Sequence, residues 1–428
     1  MTDMYQHHEY PGGIRLTLIP TAKFKTTTVV FLVHQELDAL SATSGALLSA
    51  VLEQGSRQYP RKLLLEKELE NLYGADLSSF VYKIGERHII GFSLQVIDDR
   101  FTGEEGRLFV KGLELLAAVI HDPLIVEDGF KEDYVLQQKR QLKKDLDSII
   151  NSRESYAFER CLSYMCSKER FRVNKFGSIN ELSMLDHKNL YQYYRRLMTA
   201  NPVDIYVLGN YDKTDMTAAL EESLVIRRHG EELLIKETES ETPVNGRQYQ
   251  EESLPASQAR LVIGYRTYTG YADPLNFALI MYSGILGGFS HAKLFVKVRE
   301  EGGYAYDIGT SLERHKGLMF ITAGINAADY PRVKEVIDQQ VENMVLGKIS
   351  AVEIDNTRKA LLSQALSRDD SPGQIIRSHL GGLVGGKIYT IDDLISGLKA
   401  TGIEEIKSVA TRIKEDTIYL LKPGVKGE

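Results

Sequence analysis

Gly45-Ala-Leu-Leu-Ser-Ala-Val-Leu-Glu-Gln-Gly-Ser-Arg-Gln-Tyr-Pro60 begins as an apolar helix and breaks at Gly55, with Tyr59-Pro60 marking a turn. The spacing predicts a helix over about Gly45–Glu53, then a second over about Lys62–Tyr73 that Gly74 closes. Upstream, Thr27–Val33 reads as a strand, and Pro11-Gly12-Gly13 turns into Ile14–Ile19, which alternates with period two. Downstream come two strands near Ala75–Tyr82 and His88–Gln95, and a helix over about Leu108–Ile120.

The same order returns later in the chain. Arg260–Tyr265 reads as a strand, Asn276–Leu286 and Ala292–Glu300 as helices, Ala305–Ser311 and Leu318–Ile325 as strands, and Arg332–Leu346 as a helix. Each copy continues through further helices to a late strand, Ile205–Leu208 in one and Thr417–Leu421 in the other. Strand, helix, helix, strand, strand, helix, occurring twice, points to a duplicated α+β fold: two α/β halves, each a sheet with helices against it. The expected division is an N-terminal half at 1–230, a linker at 231–256 and a C-terminal half at 257–428. The linker assignment rests on polarity, on Lys236-Glu-Thr-Glu-Ser-Glu-Thr-Pro243, and on Pro255.

The 428 residues are 43% hydrophobic and 26% charged, enough to build a core in each half. A net charge of −7 with no long basic run argues against a nucleic-acid partner. No apolar run approaches the roughly 20 residues of a membrane span, and the start is polar, so a cytoplasmic location is the expectation and no membrane partner is implied. Cys161 and Cys166 fall on different faces of one helix, which disfavours a disulfide or a metal clip.

Several segments together resemble the insulinase-type (pitrilysin, mitochondrial-processing-peptidase-like) zinc metallopeptidases. In that family a helix bearing His-x-x-Glu-His runs into Gly-Thr/Ser and Tyr-Pro, as Gly45–Pro60 does in outline. Leu69-Glu-Asn-Leu-Tyr-Gly-Ala-Asp76, Phe176-Gly-Ser-Ile-Asn-Glu-Leu182 and Asp204-Ile-Tyr-Val-Leu-Gly-Asn-Tyr-Asp212 match later landmarks. In the second half, Leu286-Gly-Gly-Phe-Ser-His-Ala-Lys-Leu-Phe-Val-Lys-Val-Arg-Glu300 and Gly303-Tyr-Ala-Tyr306 match the strongest motif. The resemblance spans nearly the whole chain in the family's order.

The metal site is what is missing. Counting back from Gly55-Ser56, the two zinc-binding His and the Glu that takes a proton from the metal-bound water fall on Ala46, Ser49 and Ala50. The family's third ligand, a downstream Glu, falls near Gln137 or Gln138. None of the ten His belongs to a His-x-x-Glu-His or a His-Glu-x-x-His. What the resemblance keeps is an Arg and a Tyr that approach the bound peptide's carbonyl from the side opposite the zinc, here Arg299 and Tyr306. A guanidinium fork and a phenol both suit an oxygen that gains negative charge. Taken alone, Arg299 reads as a surface ion pair and Tyr306 as strand packing. Tyr304 competes for the tyrosine role but sits where the family usually has an aliphatic residue.

Other features read as structure. His7-His8-Glu9 reads as a solvated turn rather than a metal trio. Gly381–Lys387 lacks the hydroxyl after its Lys that a phosphate-binding loop needs, and reads as a helix end and turn. Lys139–Lys144 is a solvated helix face, since Leu136, Leu142, Leu146 and Ile149 recur at helical spacing.

The resemblance thus implies a substrate-binding subunit, inactive alone, with no cofactor of its own. Its partner would be a zinc-bearing subunit of the same family in a heterodimer, or a second copy in a homodimer, with a peptide as substrate. The alternative is a peptidase-derived scaffold or peptide-binding protein with no catalytic role.

Overall fold

The computed structural model describes residues 5–103, 107–211, 213–225, 232–240, 242–244 and 246–424, which form two compact units. Unit 1 comprises residues 1–147 and 173–237, and unit 2 residues 148–172 and 238–428.

Unit 1 contains β1 (Gln6–Tyr10), β2 (Ile14–Pro20), β3 (Thr26–Glu36), β4 (Asp76–Ile84), β5 (Arg87–Ile97), the short pair β6 (Ile125–Val126) and β7 (Gly129–Phe130), and β8 (Val203–Gly209). Its six-stranded sheet runs β1-β2-β8-β3-β5-β4. Against β5 pack α1 (Ala39–Leu52) and α3 (Arg107–His121), with α2 (Lys62–Asn71) between them in sequence and α4 (Glu132–Asn151) following. Strand β3 pairs along both edges, and its unbroken apolar run from Val29 to Val33 is buried without alternation, so both of its faces are enclosed.

Unit 2 contains β9 (Gln248–Pro255), β10 (Ala259–Arg266), β11 (Ala305–Glu313), β12 (Leu318–Ile325) and β13 (Lys414–Gly424), ordered β11-β12-β10-β13-β9. Laid beside β4-β5-β3-β8-β2, this is the same arrangement. In each sheet the late strand, β8 or β13, runs parallel to β2 or β9 and antiparallel to β3 or β10. The duplication therefore extends to strand order and direction, not only to element order.

The expected division differs from the structure at two places. Residues 248–255, assigned to the linker, form β9, the counterpart of β2. This edge strand alternates exposed and half-buried residues, and its polar sequence looks like a surface linker. Secondly, α5 (Arg153–Met165) belongs to unit 2 although it lies within 1–230. The strands of unit 2 alternate strictly. Leu261, Ile263, Tyr265, Met319 and Ile321 enter one core with the helices of their own half. Val262, Phe320, Tyr419 and Leu421 face the other way, and Ala157, Cys161, Leu162 and Met165 of α5 cover them. Both cysteines are buried, and burial pushes the Cys161 thiol up, away from reactivity. Two smaller readings also change. His7-His8-Glu9 lies in β1, with His8 opposite Leu16, rather than in a turn. Leu136 is exposed while Val135 carries the apolar face of α4.

A buried ion cluster fixes the end of α5. Arg266 bonds Glu169 at 2.6 and 3.1 Å, Asp416 at 3.0 Å and the Met165 carbonyl at 2.9 Å. Lys316, fully buried, reaches Glu169 at 2.8 Å. Burial alone would raise the Glu169 carboxyl, but Arg266 and Lys316 outweigh it and hold the group below its ordinary value. Glu169→Gln keeps the volume and leaves two cations short of a counter-charge. It should cost roughly 3 kcal/mol, read as a lower urea midpoint at neutral pH. Because the folded-state pKa is depressed, that contribution is present above the unfolded glutamate pKa and fades as pH falls through the folded value. The gap between wild type and variant should therefore narrow in acid; equal midpoints at pH 7 would contradict this account.

Candidate functional site

Helix α1 starts at Asp38, whose side chain accepts from the Ser41 N–H at 3.0 Å. Gly177, at φ 76°, lies so close to this first turn that a Cβ there would meet Thr43 Oγ1 at 1.8 Å, while the Ser178 N–H donates to the same oxygen at 3.0 Å. That docking is the physical content of the Phe176-Gly-Ser landmark. At the helix end Gly55, at φ 153°, faces the Tyr59 carbonyl, which a Cβ would meet at 2.6 Å. Tyr134 of α4 donates to the Pro60 carbonyl at 2.7 Å. The turn that closes the motif is thus built as its sequence suggested.

The face that would carry a metal site is closed. Ala46, Ser49, Ala50 and Glu53 share one side of the helix. Ala46 and Ser49 are buried, and the Ser49 hydroxyl donates to the Ala46 carbonyl at 3.0 Å. Gln54 donates to the Ala50 carbonyl at 3.1 Å. Glu53 accepts from the backbone N–H of Ser79 in β4, the outermost strand, and burial raises its carboxyl despite that bond. Gln137 is exposed and Gln138 half-buried on α4. Among the described residues no group of three His, Cys, Asp or Glu could hold a metal ion.

The histidines near α1 have structural work. His88 donates from Nε2 to the Lys175 carbonyl at 2.8 Å, so its Nδ1 accepts from Gln35 Nε2 at 2.8 Å. Burial holds its pKa down to about 4, which keeps it neutral. Gln35 also donates to the Ser41 carbonyl and accepts from Tyr193, at 2.9 and 2.7 Å. His34 lies 2.7 Å from Asp204, which also pairs with Arg15 at 2.7 Å. Burial would raise the Asp204 carboxyl, but His34 and Arg15 hold it well below the usual carboxylate range. A cavity of about 600 Å³ opens beside the first turn of α1, lined in part by Asp38, Ser44, Tyr193 and Arg196, and it does not reach Ala46, Ser49 or Ala50.

The second candidate segment is open. The helix Asn276–Ser283 widens into a π-type turn at Gly284–Gly288, and Phe295–Glu300 forms another. Arg299 is exposed, with its guanidinium 4.7 Å from the Phe295 ring centroid, and no described carboxylate lies within ion-pair distance. The chain then reverses, the Tyr304 N–H donating to the Val298 carbonyl and the Gly303 N–H to the Arg299 carbonyl. It enters β11, the outermost strand of its sheet, which packs against the 295–300 turn. Between Ala305 and Asp307 the pairing with β12 slips, and Tyr306 is the bulged residue, 54% exposed. Tyr304 packs against the unit 2 core beside Arg332. Arg299 thus makes no ion pair among the described residues, and Tyr306 lies in an edge strand with its side chain largely exposed. The bulge and the Glu53–Ser79 bond had no sequence signal, since both depend on pairing register.

Comparison with known proteins gives a consistent picture. Residues 185–361 match the family described as the Peptidase M16 inactive domain. A probable inactive metalloprotease of Bacillus subtilis, YmfF, is 29% identical over 418 residues, 97% of each chain. The crystal structure of a conserved Enterococcus faecalis protein superposes with a TM-score of 0.93 at 26% identity, over 100% of both chains. That of a Pseudomonas fluorescens peptidase M16 inactive domain superposes at 0.79 and 16% identity, over 99% of both.

With methyl groups and a self-bonded hydroxyl in place of ligands, the purified chain should carry no stoichiometric zinc after dialysis and cleave no peptide alone. Elemental analysis returning a full equivalent of tightly held zinc, or chelator-sensitive proteolysis by the isolated chain, would contradict this.

Proposed function

We propose that this chain, which belongs to the insulinase/pitrilysin-type M16 peptidase family and lacks its zinc motif, is the non-catalytic, substrate-binding subunit of a processing-type zinc peptidase. The observation that carries this reading is the contrast between the two segments. The metal face of α1 is filled and self-bonded, whereas Arg299 and Tyr306 are exposed, unpaired with any described acid, and placed on a π-type turn and a bulge. A bulge that turns a phenol outward costs one ladder pairing and is retained where the side chain has a use.

In the complex, a partner subunit of the same family supplies zinc, which polarises the scissile carbonyl and lowers the pKa of its bound water. It also supplies the general base and an edge strand to which an extended peptide adds. Arg299 and Tyr306 donate hydrogen bonds to the carbonyl oxygen from the far side. That oxygen gains charge only as water adds, so both bonds strengthen in the transition state. The planar guanidinium offers a fork of N–H donors, and its place over the Phe295 ring restricts its orientation.

Removing either donor should lower kcat more than it raises KM, by roughly 10²-fold for a lost oxyanion donor. Tyr306→Phe deletes one hydroxyl and keeps the ring; Arg299→Lys keeps the charge and loses the fork. Steady-state kinetics of the reconstituted complex on a long peptide check this. Wild-type rates for both variants in an assembled complex would leave a scaffold role instead.

A further inference from the structure

The outer edges of the two sheets are protected in different ways, and one of them is not protected. In unit 1, β1 is a short strand of 5 residues, and on β4 the Glu53 carboxylate takes the Ser79 N–H. In unit 2, the bulge at Tyr306 interrupts β11. Strand β9 has none of these devices. It runs for 8 residues, pairs with β13 without a register shift, and contains no Lys and no Pro before its last residue. Internal symmetry marks the same place. The counterpart β2 is covered on its outer side by antiparallel β1, whereas no described strand lies outside β9.

The side chains along this edge would not repel a second strand. Glu252 is held from α5, where the Tyr156 hydroxyl and Arg160 Nε each donate to it at 2.8 Å. Glu251 is neutralised by Lys422 at 2.7 Å and accepts from the Tyr249 hydroxyl at 2.6 Å. Tyr249 is 47% exposed, its ring centroid 6.0 Å from that of Tyr330. The Arg247 side chain is 73% exposed and lies 3.5 Å from Glu415. Alternation puts Arg247, Tyr249 and Glu251 on one face of the sheet.

We propose that β9 is a self-association edge, at which the β9 strands of two copies of this chain pair antiparallel about a two-fold axis at Tyr249. Backbone groups along the outer edge of each strand then gain partners. Centring on Tyr249 sets Arg247 of each copy opposite Glu251 of the other, and Gln248 opposite Gln250, so opposite charges meet twice. The axis keeps residues of one face together, so the neighbouring registers centre on Gln248 or Gln250. Those set Tyr249 opposite Arg247 or Glu251 and bring no opposite charges together. The strand is thus complementary to itself in the register centred on Tyr249. This contact is independent of the role given to Arg299 and Tyr306, and it leaves a one-to-one ratio with a zinc-bearing subunit unchanged.

Sedimentation velocity on the full chain over a concentration series should show a reversible monomer–dimer equilibrium, since a strand-to-strand contact is small. Arg247→Glu or Glu251→Arg alone brings like charges together at two symmetric positions. Either should weaken the dimer at least about tenfold with the circular dichroism spectrum unchanged, and the double exchange should restore it. Tyr249→Cys gives a second, covalent reading. Opposed Cα atoms in an antiparallel pair lie about 4.5–5.5 Å apart, within the range a disulfide spans, so mild oxidation should link two copies. Cys161 and Cys166 are buried and should contribute no link. Ser253→Cys, exposed on the same strand but off the axis, should not link. A chain that stays monomeric at every concentration would overturn the proposal. So would a dimer that neither charge exchange weakens or that the double exchange fails to restore, or equal linking of Tyr249→Cys and Ser253→Cys.

Discussion

A sheet with two apolar faces must be covered on both, and in unit 2 the second cover comes from an earlier part of the chain. Val262, Phe320, Tyr419 and Leu421 would face water without Ala157, Cys161, Leu162 and Met165. The apolar contact is non-directional, and the Arg266–Glu169–Lys316–Asp416 cluster gives it a register, because four buried charges tolerate one arrangement. Everything C-terminal to β10, including the bulge at Tyr306, is built on a sheet completed in this way. The chain therefore needs its first half in order to present the motif of its second.

Duplication followed by divergence explains the unequal state of the two candidate segments. Both sheets keep one strand order, and both have a helix or helical turn beside an outermost strand, α1 by β4 and Phe295–Glu300 by β11. In unit 1 small side chains and internal hydrogen bonds have taken the polar face, down to Glu53 on the Ser79 N–H. In unit 2 the corresponding edge carries a free guanidinium and an outward phenol. Polar groups buried in a fold are paired inside the protein. The neutral His88, with both ring nitrogens occupied, is one of them.

Much of this was legible in the sequence, for physical reasons. Period-two strands and apolar helices announce themselves, so most elements from Thr26 to His121 and from Ala259 to Val345 fall close to where periodicity puts them, although α1 begins at Ala39, well before Gly45. Strand β9 was hidden because an edge strand needs few apolar residues, and Gln248-Tyr-Gln-Glu-Glu-Ser-Leu-Pro255 resembles a solvated linker. Helix α5 was recognisable as a helix, but an amphipathic pattern does not state which sheet it will cover. The family motif pointed to Arg299 and Tyr306. Their exposure, and the bulge that produces it, follow from long-range register that no local window contains.

The central claim is a division of labour between two chains, and native co-purification tests it most directly. This chain would be isolated gently from its own cell, with the intact mass and zinc content of the resulting complex measured. The account predicts one copy of this chain with one copy of a similar-length chain bearing His-x-x-Glu-His, and one zinc per pair, carried by that partner. Recovery only as a monomer or self-associated species, or zinc that remains with this chain once the subunits are separated, would contradict it.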